Sequence, residues 1–584
     1  MIRYTATPDT AARQWHISLK FHHNGRTPQA VKLANWTPGS YMIRDFSRHI
    51  IRIDAYCNGQ AVSLRQTAKN IWHLPDADGE YEIRYLLYAA DLSVRACYLD
   101  GDRAFQDGAA FFLYLDGRTQ ETHSVEFKDM PHNWRAFTTL PQTAPDSFQA
   151  ASYAELIDYP IEWGANIDLI EFEADGIPHR IAVSGHRMPY DRERLRTDCR
   201  RICENALAQF DRPAPFTEYL FLLHVGDNLY GGLEHISSTA LHADRRSLPA
   251  LNEAAEPSEA YTQLLGLISH EYYHSWNVKS VKPAAFLPYD LDSETYTEQL
   301  WAFEGITSYY DDLLLARSRT ISPEHYLQLL AATLTRVRRT LGRKQQTLAQ
   351  SSFAAWHKYY KQDENSANAI TSYYQQGSLA ALCLDLTIRN RSDNAHSLDS
   401  VMRQLYADWL DTRTGLAEGE WQERAQTITG LDLQDFFQAA LYSTAELPLA
   451  DCLKKVGIEL RWLPAPRSST GGVVGQFDDS SPAPDTGCRH RQHADRAELT
   501  VVLNGSAAEQ AGLMPKDNII AVDGFACTDF AAQTATAVGD SHTLHFFRHG
   551  VLHQARLTVR AAEADTAFLK ITDPQALSRW LFND

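Results

Sequence analysis

Several things are scarce or missing in this chain, and each absence removes a class of function. No block of lysine or arginine occurs, and acids outnumber bases by 73 to 55, a formal net charge of −18. A nucleic acid or an anionic membrane surface needs a basic counterface, so neither is expected as a partner. No stretch approaches the roughly 18 consecutive apolar residues of a membrane-spanning helix. The opening "MIRYTATPDTAARQWHISLKF" has no apolar run behind a basic start, so no signal peptide is expected. Cysteine is thin: eight residues in 584, with Cys199 and Cys203 in "CRRIC" the only close pair. A disulfide framework or a zinc knuckle would be denser, and the simplest reading is reduced thiols in a cytoplasmic protein. There is no internal repeat.

What is present has the composition of a globular protein, 44% hydrophobic, 22% charged and 11% aromatic. The length exceeds one hydrophobic core and implies about two to four domains. The fold class expected is α+β and multidomain. Residues 1–172 read as β-structure, with alternating runs such as "HISLKF" and "YEIRYLLYAA" between turn-formers. Residues 173–455 open on the helical "DRERLRTDCRRICENALAQF" and the apolar strand "FTEYLFLLHVG", then become mainly helical. Residues 456–584 return to β-type runs, "ELTVVL", "NIIAVDG" and "HTLHFFRHG", after a Pro/Gly/Ser-rich loop from Pro464 to Gly487.

The chemistry concentrates in "EPSEAYTQLLGLISHEYYHSWNV", which reads as one helix opened by Pro257 and Ser258. His270 and His274 are four apart, so on a helix they share a face about 6 Å apart along the axis and can reach one zinc ion. Glu271 is rotated by about 100° from His270 and borders such a metal without having to bind it, a position from which a carboxylate can take a proton from an attacking water. A catalytic zinc needs one more protein ligand and an open position. "TYTEQLWAFEGITSYYDDLLLARS" follows, with a Thr295-x-x-Glu298 capping box and a helical period to Arg317. Glu304, hemmed by Trp301, Phe303 and Ile306, is the candidate ligand, because a glutamate on an apolar face needs a partner for its charge. The alternative is an outward-facing acid or one paired with arginine.

With "HEYYHSWNVK", "WAFEGITSYYDDLLL" and, far upstream, "WTPGSYMIRDFSRHI", the chain resembles the glycyl aminopeptidase family of gluzincin metallopeptidases. The resemblance implies a β-rich N-terminal domain, a thermolysin-like catalytic domain and a C-terminal PDZ domain. It also implies one zinc per chain and removal of N-terminal glycine or alanine from peptides. The spacing of 30 residues from His274 to Glu304 is longer than in the related alanyl and leucyl aminopeptidases. "WTPGSYMIRDF" itself is expected to pack against the catalytic domain rather than line a cleft.

Two more stretches take their roles from the same resemblance. "NLYGGLEHISST" puts Gly231 and Gly232 beside Glu234, just after the apolar strand. Paired glycines let a backbone come close to a substrate, and an edge strand can hold a peptide by main-chain pairing. The stretch is similar to the motif whose glutamate binds a substrate's free α-ammonium, which makes Glu234 the expected N-terminus anchor. No cationic side chain lies near Glu234 in the sequence. Tyr374 in "YYQQG" is similar to the clan's tyrosine that donates to the oxyanion, with Tyr373 the competitor if the register is off by one.

"LTVVLNGSAAEQAGLMPKDNIIAVDG", residues 499–524, resembles a bacterial-type PDZ domain, which binds a peptide C-terminus by strand addition. No carboxylate loop is recognisable in the polar segment before it. Two other functions stay open: a zinc hydrolase of a non-peptide substrate, and a PDZ scaffold with a vestigial metal site.

Overall fold

Alternation decides the N-terminal region. In the strand Gln14–Asn24, Trp15, Ile17, Leu19, Phe21 and His23 point inward and the residues between them outward, the period of two that a half-buried strand requires. The computed structural model describes residues 1–25, 28–186, 188–465, 471–475 and 483–582. By contacts the chain forms two units: residues 1–295 with 318–320 and 405–416, and residues 296–317 with 321–404 and 417–584.

The first unit opens with an eight-stranded sheet. Its order is Gln142–Ala144, Ser147–Ala150, His123–Phe127, Ile2–Asp9, Gln14–Asn24, Asp78–Tyr88, Ile50–Cys57, Gln60–Val62. Ile2–Asp9 runs parallel to His123–Phe127, with Ile2 opposite His123, and antiparallel to Gln14–Asn24, with Arg3 opposite Lys20. Beneath it lies an aromatic core of Tyr4, Trp15, Phe111, Phe112, Phe127 and Trp163.

A five-stranded sheet follows in the same unit, ordered Asp168–Ala174, Ile177–Ser184, Tyr219–Gly226, Ser238–Asp244, Gly231–Glu234. The three middle strands are parallel, and both outer strands are antiparallel to their neighbours. Tyr219–Gly226 is buried along nearly its whole length, as a strand covered on both faces must be. Gly231–Glu234 is therefore the edge, paired on one side only. The helix Glu259–Tyr273 packs on this sheet through Tyr261, Leu264, Leu265, Ile268 and Tyr272, all buried. Its N-cap is Ser258, whose hydroxyl accepts from the Tyr261 N–H at 3.4 Å. It ends sooner than the sequence suggests: Tyr273 is the last helical residue and His274 the C-cap. The chain then loops so that the Lys279 N–H donates to the His274 carbonyl at 2.9 Å. Within this loop Val278 takes φ = 114°, a left-handed backbone that a β-branched residue rarely adopts.

The second unit is helical before its last strands. The expected capping box at Thr295 and Glu298 does not form; residues 295–299 are not helical. Glu418 takes that place, accepting from the Thr297 hydroxyl at 2.5 Å and the Glu298 N–H at 3.2 Å. Trp301–Gly305 forms one π-helical turn, and only then does the α-helix Ile306–Arg317 begin. The helix Gln375–Arg391 crosses it closely, since a Cβ on Gly305 would lie 2.6 Å from the Gly377 Cα. Farther on, a six-stranded sheet has the order Cys488–Gln492, Ala497–Val502, Asn518–Val522, Ser541–Arg548, Val551–Thr558, with Phe525–Ala526 beside Asn518–Val522. Its core is Leu499, Ile519, Phe530, Leu544, Phe546 and Leu557. Of the loop expected over Pro464–Gly487, residues 466–470 and 476–482 lie outside the described residues. Its described part holds two short strands, Val473–Val474 and Pro484–Asp485. All eight cysteines are buried and none forms a disulfide. No helix among the described residues is long and apolar enough to cross a membrane.

Candidate functional site

In the first unit the helix Glu259–Tyr273 and the edge strand Gly231–Glu234 bring six of the expected residues together. The His270 and His274 rings stand perpendicular, with their Nε2 atoms 3.1 Å apart. Two nitrogens each about 2.0–2.1 Å from a tetrahedral zinc lie about 3.3–3.4 Å from each other, so this spacing fits a shared cation. The His274 Nδ1 sits 2.8 Å from the Asn277 carbonyl. A proton on Nδ1 directed at that carbonyl leaves the Nε2 lone pair for a metal, the tautomer a zinc-ligating histidine needs. The donor set fits zinc on this geometry.

Glu271 lies on the strand side of the helix. A Cβ on Gly232 would come within 2.0 Å of its Oε1, so only glycine fits at 232. Burial pushes the Glu271 carboxyl up to about 7; His270 and His274 pull the other way, and the Glu234 charge adds to the rise. Glu234 is 4% exposed, and its carboxylate joins Glu271 and His274 in a group whose ligand atoms lie within 4.8 Å of one another. Glu234 Oε1 and Glu271 Oε2 are both buried with no hydrogen-bond partner among the described residues. Two desolvated acids side by side form a cation-seeking site.

The surroundings of Glu234 depart from the sequence reading in two ways. "WTPGSYMIRDF" lines this site rather than only packing: Gly39, at φ = 94°, would place a Cβ 2.5 Å from a Glu234 carboxylate oxygen. Its segment is held by the Trp36 indole donating to the Asp290 carbonyl and by Thr37 donating to Asp107. Basic side chains also lie close, the adjacent His235 and others distant in sequence. Lys279 pairs with Asp158 at 2.6 Å, and His235 meets the same carboxylate at 3.3 Å. Burial works against the Asp158 charge, but Lys279 and His235 more than offset it and hold that carboxyl down at about 2. Lys282 is buried over the Tyr289 ring, and burial with repulsion from Lys279 lowers its ammonium to about 8. Arg95, from the loop before strand Cys97–Leu99, donates to the Gly232 carbonyl at 2.5 Å.

In the second unit Glu304 sits on the π-helical turn, 1% exposed. Such turns recur at functional sites. Of the two tyrosines, Tyr373 is buried, and its hydroxyl is raised by burial, then by Tyr360 and by the Glu304 charge. The Tyr374 hydroxyl is half-buried and lies 2.7 Å from that of Tyr360.

Residues 263–380 match the M61 glycyl aminopeptidase family, and residues 3–165 match the peptidase M61 N-terminal domain. An aminopeptidase N family protein from Idiomarina loihiensis has a solved structure that superposes with a TM-score of 0.94 at 37% identity, over 100% of both chains. The chain belongs to the M61 aminopeptidase family. An M1 zinc metallopeptidase from Deinococcus radiodurans also aligns, with a TM-score of 0.47, 14% identity, and 77% of this chain on 94% of that one. A mutant of that metallopeptidase bound to a Tyr-Ser-Ala substrate gives 0.47 at 15%, over 76% and 94%. No curated protein sequence matches the chain. The sequence of this M61 member carried no local signal for Gly39, Lys282 or Arg95.

Proposed function

We propose that the protein is a zinc aminopeptidase that removes small N-terminal residues, glycine and alanine preferred, from peptides with a free amine. His270, His274 and Glu304 are the ligands in this reading, two imidazoles and a carboxylate, residue types that suit zinc. The residue preference is what the resemblance to glycyl aminopeptidases implies. A zinc ion bound there supplies a Lewis acid that polarises the scissile carbonyl and makes water acidic near neutral pH.

The chain's own residues do the rest. Glu271, its proton affinity already raised by burial, takes the proton from the attacking water and delivers it to the leaving amine nitrogen. Glu234 pairs with the substrate α-ammonium, fixing the cut one residue in, because a blocked or internal residue leaves its charge unmatched. Gly231 and Gly232 let the peptide backbone lie against the edge strand. Tyr374 donates a hydrogen bond to the developing oxyanion, with Tyr373 the alternative donor. Residues 456–584 form a PDZ-like domain in the same reading, and its open strand edge takes a peptide C-terminus. The six-stranded sheet with short helices Ala507–Gln510 and Phe530–Thr534 supports that fold.

The observation that carries the enzymatic reading is the pair of buried carboxylate oxygens of Glu234 and Glu271, without hydrogen-bond partners among the described residues and grouped with His274. The test is release of glycine, alanine and leucine from aminoacyl amides with metal analysis on the same sample. Glycine and alanine release by zinc-loaded protein, absent from N-acetylated substrates, is expected. Zinc bound one to one without turnover of any aminoacyl substrate contradicts it.

A further inference from the structure

In the second unit the pair Tyr359 and Tyr360, in "HKYYKQ", packs on the pair Tyr373 and Tyr374, and the reading above gives the first pair no task. The Tyr359 ring centre lies 4.9 Å from that of Tyr373 and 5.5 Å from that of Tyr374, and the Ser372 hydroxyl donates to the Tyr359 oxygen at 3.1 Å. The rings of Tyr373 and Tyr374 are themselves stacked at 4.7 Å. Burial raises the hydroxyls of Tyr359 and Tyr373, and the Glu304 charge adds to both, so the group stands beside that carboxylate.

Tyr360 completes the group. It lies in the 3-10 turn Tyr359–Lys361, where its N–H donates to the Ala355 carbonyl at 3.3 Å, and its hydroxyl is 2.7 Å from that of Tyr374. Farther along the same segment, the Asn368 side-chain amide donates to the Val502 carbonyl at 2.9 Å and accepts from the Asn504 N–H at 3.0 Å. A segment held at both ends keeps the Tyr360 hydroxyl in place, and a preorganised dipole costs no reorganisation at the moment of reaction. Counting protons gives its contact a direction. A phenol has one proton to donate. If Tyr374 directs its own at an oxyanion, its oxygen must accept in the contact with Tyr360, and Tyr360 must be the donor. A hydroxyl that accepts a hydrogen bond also donates a stronger one, because linked hydrogen bonds polarise each other.

We propose that Tyr360 is a positioning residue for the hydrolysis: its hydroxyl donates to the Tyr374 oxygen and so turns the Tyr374 proton toward the developing oxyanion. This rests on the reading of Tyr374 as the oxyanion donor. Tyr360 touches no reacting atom and acts only through its neighbour, so its effect belongs to kcat and vanishes when the Tyr374 hydroxyl is removed.

The experiment measures kcat and KM on alanyl amide for zinc-loaded full-length parent, Tyr360→Phe, Tyr374→Phe and the double variant. Tyr360→Phe is expected to lower kcat by roughly 3- to 10-fold, the effect of one hydrogen bond, with KM unmoved. In the Tyr374→Phe background the same change should cost nothing further, because the group it acts through is gone. Equal losses in both backgrounds overturn the inference, since that is the behaviour of a side chain that only supports the loop or of a hydroxyl acting on its own. Parental kcat for Tyr360→Phe beside a crippled Tyr374→Phe sinks Tyr360 alone. Parental kcat for Tyr374→Phe sinks the oxyanion reading, and the inference with it.

Discussion

Two regions bury acids and treat them oppositely. In the C-terminal sheet Asp517 is fully buried, yet it accepts from Arg548 Nε at 2.8 Å, from Arg548 Nη2 at 2.7 Å and from the Met514 N–H at 2.8 Å. Around the edge strand Glu234 and Glu271 are nearly as buried, and each keeps an oxygen with no hydrogen-bond partner among the described residues. The first acid is satisfied and serves the fold. The other two are the candidates for chemistry, because a buried carboxylate without a partner is costly and such acids cluster at functional sites.

Removing the charge of each acid breaks the comparison most sharply. Glu271→Gln should lower kcat/KM by about 10²- to 10⁴-fold, the usual loss for a general base, while thermal unfolding shows no destabilisation because a buried, unpartnered charge is gone. Tyr374→Phe should cost about 10²- to 10³-fold in kcat, as one oxyanion donor does, with KM little moved; if Tyr373→Phe shows this loss instead, the donor is its neighbour. Glu234→Ala should cost about 100-fold on free-amine substrates and erode the preference over N-acetylated ones, read as a ratio of kcat/KM values. Asp517→Asn should do the reverse, weakening the C-terminal sheet by about 1.5–3 kcal/mol in urea unfolding and leaving turnover per folded molecule as it was.

The smallest effect is a pH dependence. Burial raises the Glu271 carboxyl from its ordinary 4.5 to about 7, so the folded, metal-free protein binds more protons than the unfolded chain between those values. Its contribution to stability is whole below pH 4.5 and is lost as pH rises toward about 7. Calorimetry in chelator should show the parent losing stability across that window relative to Glu271→Gln.

What the sequence disclosed and what it hid follow from range. The grouping of His270, Glu271 and His274 is legible because helical spacing is local, whereas Glu234 was singled out through a resemblance to a substrate-anchoring motif. The π-helical turn at Glu304 was not legible. It replaces the first turns of an expected α-helix, and its setting, Gly305 against Gly377, joins residues far apart in the chain. Gly39 and Arg95 were hidden for the same reason: each meets the edge strand from more than 100 residues away, and nothing in "WTPGS" or "SVRAC" marks a residue that will touch Glu234 or Gly232. The β-rich front was read correctly because its strands alternate, whereas the end of the helix Glu259–Tyr273 was overrun because "SWNV" is apolar enough to continue it.

The most direct test is hydrolysis of alanyl amide by Glu271→Gln protein whose zinc content is measured on the same sample. Zinc at the parental level with turnover below about 1% of the parent is the predicted result. Turnover equal to the parent's, with the metal in place, contradicts the account.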